Sequence, residues 1–259
     1  MDADHLDIYG EASELEKSFK DFGNKVSDTL IVRKGLPIEA LTFGIDENAD
    51  YEAINIKIEN GVYIFDVKTP TEIIKEVKIN LPGKHNVLNA VAALAMANSY
   101  GISLPVIAKA LLTFKGIKRR FSYKINTENL VLIDDYAHHP AELAALISGV
   151  RSLYSSQKLT LVFQPHLFSR TQDLCDGFAE SLSVADEVVL LPIYPARELP
   201  IPGVTSELIA LKMTNKNVVL LEKEAVSDWV KKHQPKLLVM AGAGDIDVLI
   251  RNIKNDLIQ

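Results

Sequence analysis

The chain has 259 residues, of which 47% are hydrophobic, and it carries a formal net charge of −6. This composition can fill one large core or two ordinary ones, and the acidic balance argues against bulk attraction to nucleic acid or to an anionic membrane. The single Cys175 excludes an internal disulfide and suits a reducing compartment. No apolar run approaches the roughly 18 residues that span a bilayer, and the acidic first residues lack a signal-peptide pattern. We therefore expect a cytoplasmic protein.

The first third of the chain predicts a helix and then a series of short strands. An apolar stripe at helical spacing predicts a helix over Glu14–Val26. The dipeptide Asn60-Gly61 is a strong hairpin signal between two alternating segments. We expect a three-stranded antiparallel meander here, preceded by two short strands. The five predicted strands are Thr29–Val32, Ala40–Phe43, Ala53–Ile58, Val62–Val67 and Glu76–Leu81.

An alanine-rich helix is predicted to follow Gly83 and to run through about Tyr100. Its first turn contains Asn86 and Asn89, although asparagine is a poor helix former. One reading is that these amides cap the helix; the other is that they grip a planar ligand one turn apart. The sequence leaves both readings open, and a second helix is predicted over Pro105–Phe114.

From Phe121 onward, strand-like runs alternate with amphipathic helices. Such alternation is typical of a parallel sheet with right-handed crossovers. We place a domain boundary near Gly116–Lys118, which gives domains of residues 1–117 and 118–259. The predicted strands are Phe121–Ile125, Leu130–Ile133, Leu159–Phe163, Glu187–Leu191, Val218–Leu221 and Leu237–Ala241. The helices are Pro140–Tyr154, Thr171–Leu182, Ser206–Met213, Glu224–His233 and Asp247–Ile258.

Polar residues follow these strands where ligands bind in open α/β sheets, beyond the carboxyl ends. After Leu130–Ile133 come Asp134, Asp135, Tyr136, His138 and His139, and Pro140 then opens a helix. A solvated turn with an acidic cap is the plain interpretation, but two acids, two imidazoles and a phenol in six residues favour a binding or catalytic site. Three further polar loops, Gln164–Thr171, Pro192–Glu198 and Gly242–Ile246, converge on the same predicted edge.

Five segments occur in an order that resembles the Mur ligases of peptidoglycan synthesis. They are Gly83–Asn89, Lys118–Phe121, Asp134–Pro140, Gln164–His166 with Arg170-Thr171, and Gly242–Ile246; Asp2–Asp7 also resembles a metal-site segment of that family. The resemblance runs over the whole chain. It implies an α/β fold: the later part of a central ATPase domain with an antiparallel meander, then a Rossmann-like parallel-sheet domain.

The resemblance also implies an activity and a set of site residues. The activity is ATP-dependent amide ligation, in which an acyl phosphate of UDP-N-acetylmuramate is attacked by L-alanine. By analogy Arg120, Asp135 and His138 are catalytic, and Arg170 and His166 bind substrate. His85, Asn86 and Asn89 face the adenine of ATP, and His5 holds a second Mg²⁺. Closure of the two domains needs a hinge, which we place at Gly116–Lys118.

Two departures from the family pattern stand out. The chain contains no G-x-x-x-x-G-K-[ST] phosphate loop, so we expect a fragment that is inactive alone; a natural relative without that loop is the alternative. Several relatives carry an arginine where this chain has Leu167. Arg170 precedes the predicted helix at Thr171, so helix N–H groups and its guanidinium could converge on one anion.

Other functions remain open. Within the family, a recycling ligase adds a whole tripeptide to UDP-N-acetylmuramate. In another class, the chain would be a non-catalytic module that binds a nucleotide or nucleotide sugar. The oligomeric state is left open.

Overall fold

The computed structural model describes residues 6–59 and 61–258, with side chains described over residues 8–59 and 61–255. The chain divides into two compact units, Met1–Lys115 (unit 1) and Gly116–Gln259 (unit 2). Among the described residues, none of the helices combines the length and the apolar character that a bilayer crossing requires.

Unit 1 is built on a mixed sheet in the order β1-β2-β3-β4-β5. Strands β1 to β3 are parallel, and β3, β4 and β5 form an antiparallel meander, which confirms the predicted meander. Helix α3 packs against β1, β2 and β3, and α4 packs against β5. The elements are α1 (Leu6–Tyr9), α2 (Ala12–Gly23), β1 (Ile31–Arg33), β2 (Leu41–Ile45), β3 (Tyr51–Glu59), β4 (Val62–Lys68), β5 (Ile73–Ile79), α3 (Lys84–Ser99) and α4 (Leu104–Thr113).

Unit 2 is a second α/β fold, with a sheet in the order β10-β9-β8-β11-β7-β6. Its strands are β6 (Ser122–Asn126), β7 (Val131–Asp135), β8 (Leu159–Phe163), β9 (Glu187–Leu190), β10 (Val218–Leu220) and β11 (Leu237–Ala241). All neighbouring pairs are parallel except β6 with β7. The predicted parallel sheet is thus confirmed except at this edge. The link between β6 and β7 is too short for a crossover, so these two strands form a hairpin.

Helices cover both faces of the unit 2 sheet. One core contains residues of α5, α7 and α8, and the other contains residues of α9 and α10. Strands β7, β8 and β11 are therefore buried along their whole length, as expected of a sheet covered on both sides. The helices are α5 (Pro140–Leu153), α6 (Phe168–Asp173), α7 (Cys175–Leu182), α8 (Ser206–Lys212), α9 (Val226–His233) and α10 (Ile246–Ile258).

Two predicted boundaries in unit 2 are wrong in a way that matters for function. Strand β7 runs through Asp135, because Asp134 and Asp135 pair with Met240 and Ala241 of β11. The single helix predicted from Thr171 is instead two helices, and the first begins at Phe168. Arg170 is consequently inside α6 rather than just before a helix, and the predicted helix-terminus anion site at Arg170 is withdrawn.

Candidate functional site

The polar loops that follow β7, β8, β9 and β11 meet at one edge of the unit 2 sheet. Backbone hydrogen bonds fasten them to one another beyond the ends of the strands. The N–H of Gly242 donates to the Asp135 carbonyl at 3.2 Å, and the N–H of Gln164 donates to the Ala241 carbonyl at 3.0 Å. A further bridge joins His166 to Tyr194. Parallel strands bring their carboxyl ends to one edge, so the predicted convergence of these loops is confirmed.

The two adjacent aspartates at the end of β7 are both buried, with Asp134 1% exposed and Asp135 7% exposed. Asp134 forms ion pairs with Lys124 at 3.1 Å and with Arg119 at 3.5 Å. Asp135 accepts the N–H of Phe121 at 2.7 Å with one oxygen and the N–H of Ala137 at 2.8 Å with the other. The Asp135 carboxylate thus ties the segment that enters the unit to the loop that carries the histidines.

Burial raises the pKa of Asp135 above its ordinary value, although the N–H groups of Phe121 and Ala137 and the charge of Arg120 act to lower it. A buried carboxylate whose two oxygens both accept backbone hydrogen bonds has the stabilisation of the loop as its main role. Our sequence interpretation placed Asp135 beyond the carboxyl end of the strand, with its carboxylate facing a ligand. The structure corrects that position, and a catalytic role for Asp135 stays a prediction.

Four aromatic rings lie in a row along this edge. The ring centroids of Tyr136 and His138 are 5.3 Å apart, those of His138 and His166 are 6.0 Å apart, and those of His166 and Tyr194 are 5.6 Å apart. The last pair is stacked, with an interplanar angle of 18°. The row therefore joins the loops after β7, β8 and β9, and it brings the predicted residues His138 and His166 together.

Cations cover the Tyr136 end of this row. The guanidinium carbon of Arg119 lies 4.9 Å from the Tyr136 ring centroid, and that of Arg120 lies 5.8 Å from it. Arg119 also donates to the Gly242 carbonyl at 2.6 Å and is fixed by that bond. Arg120 is more exposed and forms an ion pair with Glu142 at 3.1 Å. Arg120, a predicted catalytic residue, thus lies beside the predicted His138 loop.

Glu142, in the first turn of α5, orients His138. Its carboxylate accepts the His138 N–H at 2.9 Å and lies 3.3 Å from Nδ1 of the same residue. Nδ1 also lies 2.9 Å from the Tyr136 carbonyl oxygen, which can only accept. We assign the proton of the neutral ring to Nδ1 on this geometry, which leaves Nε2 as the nitrogen able to accept a proton.

Burial acts to raise the pKa of Glu142, but the His138 N–H, the charge of His138 and the Arg120 guanidinium outweigh it. The pKa of Glu142 consequently lies below its usual value. Glu142 is charged at neutral pH and can hold both the imidazole and the guanidinium.

His166 lies in a different electrostatic environment from His138. Burial, together with the neighbouring charges of His138 and Arg170, lowers the pKa of His166 to about 4. Its Nδ1 is buried and has no hydrogen-bond partner among the described residues. His166 is therefore neutral at physiological pH.

The loop after β11 is held in place by Gln164 and Asp245. Gln164 is 1% exposed, donates to Asp245 at 2.8 Å, and accepts the Ile246 N–H at 3.2 Å. Asp245 forms an ion pair with Lys223 at 2.7 Å. A Cβ atom on Gly244 would approach Gln164 Oε1 and Tyr194 Cγ within 2.6 Å. Only glycine leaves room there for the tyrosine that stacks on His166.

The predicted ATP-binding residues lie at the start of α3 in unit 1. Asn86 donates its side-chain amide to the Pro82 carbonyl at 2.7 Å and so ties the helix to the preceding turn. It does not cap the helix, because the N-cap residue is Gly83, which makes no side-chain cap hydrogen bond. Asn89, three residues further on, is exposed. The His85 ring lies against Gly83, where a Cβ atom would come within 2.5 Å of the ring. A histidine ring and an exposed amide within one turn fit a planar base.

The predicted metal ligand His5 lies outside the described residues. Within the described part of the chain, no group of three or more His, Cys, Asp or Glu side chains is arranged to hold a metal ion. A role for His5 with Mg²⁺ stays a prediction.

Each of the two units matches the model of a known protein family. The family model described as "Mur ligase middle domain" matches residues 1–97, and the one described as "Mur ligase, glutamate ligase domain" matches residues 119–246. The chain belongs to the Mur ligase family. The resemblance inferred from the motifs is confirmed.

Curated Mur ligases resemble the chain along its whole length. The UDP-N-acetylmuramate–L-alanine ligase of Christiangramia forsetii is 54% identical over 260 residues, which cover 100% of this chain and 58% of the relative. The ligase of the same name from Flavobacterium psychrophilum is 53% identical over 99% of this chain and 58% of the relative. The chain therefore spans less than two thirds of these relatives.

Solved Mur ligase structures share the fold. The UDP-N-acetylmuramate–alanine ligase of Thermotoga maritima superimposes with a TM-score of 0.81 at 26% identity, over 99% of this chain and 57% of that one. A murein peptide ligase from Psychrobacter arcticus gives a TM-score of 0.61 at 20% identity, which shows the shared fold alone. These matches confirm the predicted fold class.

Several residues at this edge of the Mur ligase fold were not among our predicted site residues. Glu142, Arg119 and Tyr194 hold His138, Tyr136 and His166 in place. Glu142 could have been found from its position in the first turn of a helix that opens directly after the histidine pair. Arg119 and Tyr194 lie in two segments that the sequence singles out, Lys118–Phe121 and Pro192–Glu198. Their individual contacts could not be predicted, because the partners are distant in sequence.

Proposed function

We propose that this chain is part of an ATP-dependent ligase that joins L-alanine to UDP-N-acetylmuramate. The observation that carries the proposal is the 54% identity, over the whole chain, to a relative that bears this name. The aromatic row and its flanking cations supply chemistry that suits the reaction. The product would be an amide between the muramate carboxylate and the amine of alanine.

His138 is the residue best placed to handle protons. With Nδ1 held by the Tyr136 carbonyl and Glu142, its Nε2 would accept a proton from the attacking amine. A carboxylate that fixes the far nitrogen of the imidazole keeps the ring in the required tautomer and orientation. Arg120, beside the same Glu142, would lie near negative charge that develops on the reacting group.

His166 would contact the substrate as a neutral group. Because its pKa is about 4, it would add no charge at pH 7 and would offer the substrate a neutral ring. Arg170 would supply the positive charge for the phosphates or the carboxylate of UDP-N-acetylmuramate. We propose these roles for His166, in the loop after β8, and for Arg170, in the helix α6 that follows it.

The described residues fit only part of ATP. His85 and Asn89 at the start of α3 suit the adenine base, whereas the sequence contains no G-x-x-x-x-G-K-[ST] loop for the phosphates. When bound, ATP supplies the phosphoryl group that turns the muramate carboxylate into an electrophile. The contribution of this chain in unit 1 would be to hold and orient the base.

The direct test is an assay of the full gene product that contains this chain. We expect release of phosphate from ATP to require both UDP-N-acetylmuramate and L-alanine. Replacing L-alanine by the tripeptide L-Ala-γ-D-Glu-meso-diaminopimelate should give little product. Mass spectrometry of the product identifies the amide.

The two alternatives give different results in the same assay. A recycling ligase would use the tripeptide in preference to L-alanine. A binding module would bind the nucleotide or the nucleotide sugar without any amino-acid-dependent turnover. Either result would overturn the proposed function.

A further inference from the structure

Arg119 and Arg120 are neighbours in the sequence, but their side chains lie in different environments. The Arg119 side chain is 15% exposed, donates to the Gly242 carbonyl at 2.6 Å and lies 3.5 Å from the Asp134 carboxylate. The Arg120 side chain is 47% exposed and pairs with Glu142. The guanidinium group of Arg119 is therefore used inside unit 2, whereas that of Arg120 remains accessible.

The backbone around these two arginines adopts a conformation that most L-amino acids avoid. Arg119 has φ of 61° and Phe121 has φ of 46°, so both lie in the left-handed region, where a Cβ atom crowds the following carbonyl. Neither is a glycine, an asparagine or an aspartate, the residues that tolerate this region best. Such strain persists only where surrounding contacts impose it, and it is concentrated at functional sites. We call residues Arg119–Ser122 the entry turn.

Hydrogen bonds impose this backbone on the entry turn. The Arg119 N–H donates to the Ser122 hydroxyl at 2.9 Å, and the Arg119 carbonyl accepts the Tyr136 N–H at 2.7 Å. The Phe121 N–H donates to the Asp135 carboxylate at 2.7 Å. The first bond closes the turn upon itself, and the other two join it to the end of β7 and the loop that follows.

The entry turn brings both arginines to one ring. In an extended strand, consecutive side chains point to opposite faces. Here the guanidinium carbons of Arg119 and Arg120 lie 4.9 and 5.8 Å from the ring centroid of Tyr136, within the range of cation–π attraction. Tyr136 in turn lies edge-on to His138, with the centroids 5.3 Å apart. The place of the first ring in the aromatic row thus depends on the backbone of the turn.

We infer that Ser122 and Arg119 are positioning residues for the proposed ligation. Ser122 holds the entry turn closed, and Arg119 fixes the Tyr136 ring. Arg120 and His138, which both contact that ring, keep their places as a result. The inference rests on the proposed function and adds to it, because a displacement of about 1 Å in an oriented group slows the chemical step.

The first measurement uses the 259-residue chain and needs no ligand. We expect Ser122→Ala and Arg119→Gln to shift the Tyr136 ring signals in NMR spectra. Both should also speed hydrogen exchange of the Tyr136 N–H, whose acceptor is the Arg119 carbonyl. Ser122→Thr keeps the hydroxyl and should leave both readouts near those of the unchanged chain. The matched controls, Ser156→Ala and Arg251→Gln on exposed residues of the same unit, should change neither.

The second measurement is steady-state kinetics of the full gene product. Ser122→Ala and Arg119→Gln should lower kcat by roughly 10- to 100-fold, with the KM for UDP-N-acetylmuramate nearly unchanged. Ser122→Thr should keep most of kcat, and the two controls should keep all of it. Thermal melting of each variant checks the fold, and Ser122→Ala provides the test should Arg119→Gln unfold.

Kinetics and Tyr136 signals of Ser122→Ala that equal those of Ser156→Ala would overturn the inference. A raised KM at unchanged kcat in Arg119→Gln would overturn it as well, because Arg119 would then bind substrate directly. If the unchanged full gene product does not ligate, the proposed function is wrong, and the Tyr136 signals alone decide whether the entry turn holds the ring. If it ligates and Ser122→Ala turns over normally, the positioning role is wrong and the function stands.

Discussion

The carboxylate of Glu142 accepts the backbone N–H of His138 at 2.9 Å and lies 3.3 Å from Nδ1 of the same histidine. One side chain in the first turn of α5 thus fixes both the backbone and the ring of a residue in the preceding loop. Because Glu142 also pairs with Arg120, it links two of the predicted catalytic residues. The orientation of the site depends on this helix start.

If the proposed ligation is correct, we expect Glu142→Gln to lower kcat/KM of the full-length protein by roughly tenfold, the difference between a charge-assisted and a neutral hydrogen bond. The glutamine oxygen can still accept the His138 N–H, so the melting temperature should change little. Steady-state kinetics and thermal melting check both expectations. Glu128→Gln, on an exposed residue of the same unit, is the control, and equal kinetics of the two variants would remove Glu142 from the mechanism.

Asp135→Ala should destabilise unit 2. It leaves the N–H groups of Phe121 and Ala137 without their acceptor, at a cost of about 1–3 kcal/mol for each buried donor. We expect the free energy of unfolding to fall by roughly 2–6 kcal/mol in urea denaturation of the 259-residue chain. Asp173→Ala, on the exposed surface of α6, should change it by less than about 0.5 kcal/mol. A folded Asp135→Ala variant of unchanged stability that no longer turns over would instead favour the catalytic role.

The low pKa of His166 makes stability depend on pH. The unfolded histidine binds its proton near pH 6.5, whereas the folded one binds it near pH 4, so between these values the unfolded state holds more protons. The contribution of His166 to the free energy of unfolding is therefore complete above pH 6.5 and is lost as the pH falls towards 4. Urea denaturation at pH 7.0, 6.0 and 5.0 measures the loss.

His166→Asn should make the pH dependence less steep, while His233→Asn, on an exposed residue of α9, should leave it closer to that of the unchanged chain. Identical slopes for the His166 variant and the unchanged chain would show that His166 titrates normally in the folded protein.

Gly244→Ala should disturb the aromatic row without touching a charged residue. The new Cβ atom would meet Gln164 Oε1 and Tyr194 Cγ at 2.6 Å, so the tyrosine must leave its stack on His166. We expect a lower melting temperature, by several degrees, and a changed His166 ring signal in NMR spectra. Gly23→Ala is the control, because its Cβ atom would meet the nearest side chain at 3.4 Å, an ordinary contact. An unchanged His166 signal in Gly244→Ala would contradict this expectation. It would mean that the loop after β11 can shift to make room for the added Cβ atom while Tyr194 keeps its stack on His166.

The order of the elements and the identity of the family could be predicted from the sequence. Alternating apolar strands and amphipathic helices are local patterns, and hydrophobic burial on two faces of a sheet leaves few other ways to arrange them. The pattern of His138, His139 and Pro140 after a buried strand also indicates a strand end followed by a helix. His138 and His166 could therefore be placed at one edge before any coordinates were known.

Boundaries were predicted less well, because long-range hydrogen bonds extend or shorten an element. Strand β7 gains Asp134 and Asp135 through pairing with β11, a hundred residues away. The Leu167 N–H, just before helix α6, likewise bonds to Tyr194 of another loop. Neither partner can be identified from the residues next to these positions.

The order of residues alone tells which chemical groups follow which strand, since that depends only on local order. The tertiary structure alone decided how those groups are used. Asp135 accepts two backbone N–H groups, Leu167 is buried, and Tyr194 stacks on His166 from a neighbouring loop. The physical reason is that burial, charge and hydrogen-bond partners are set by packing between segments that are distant in the chain.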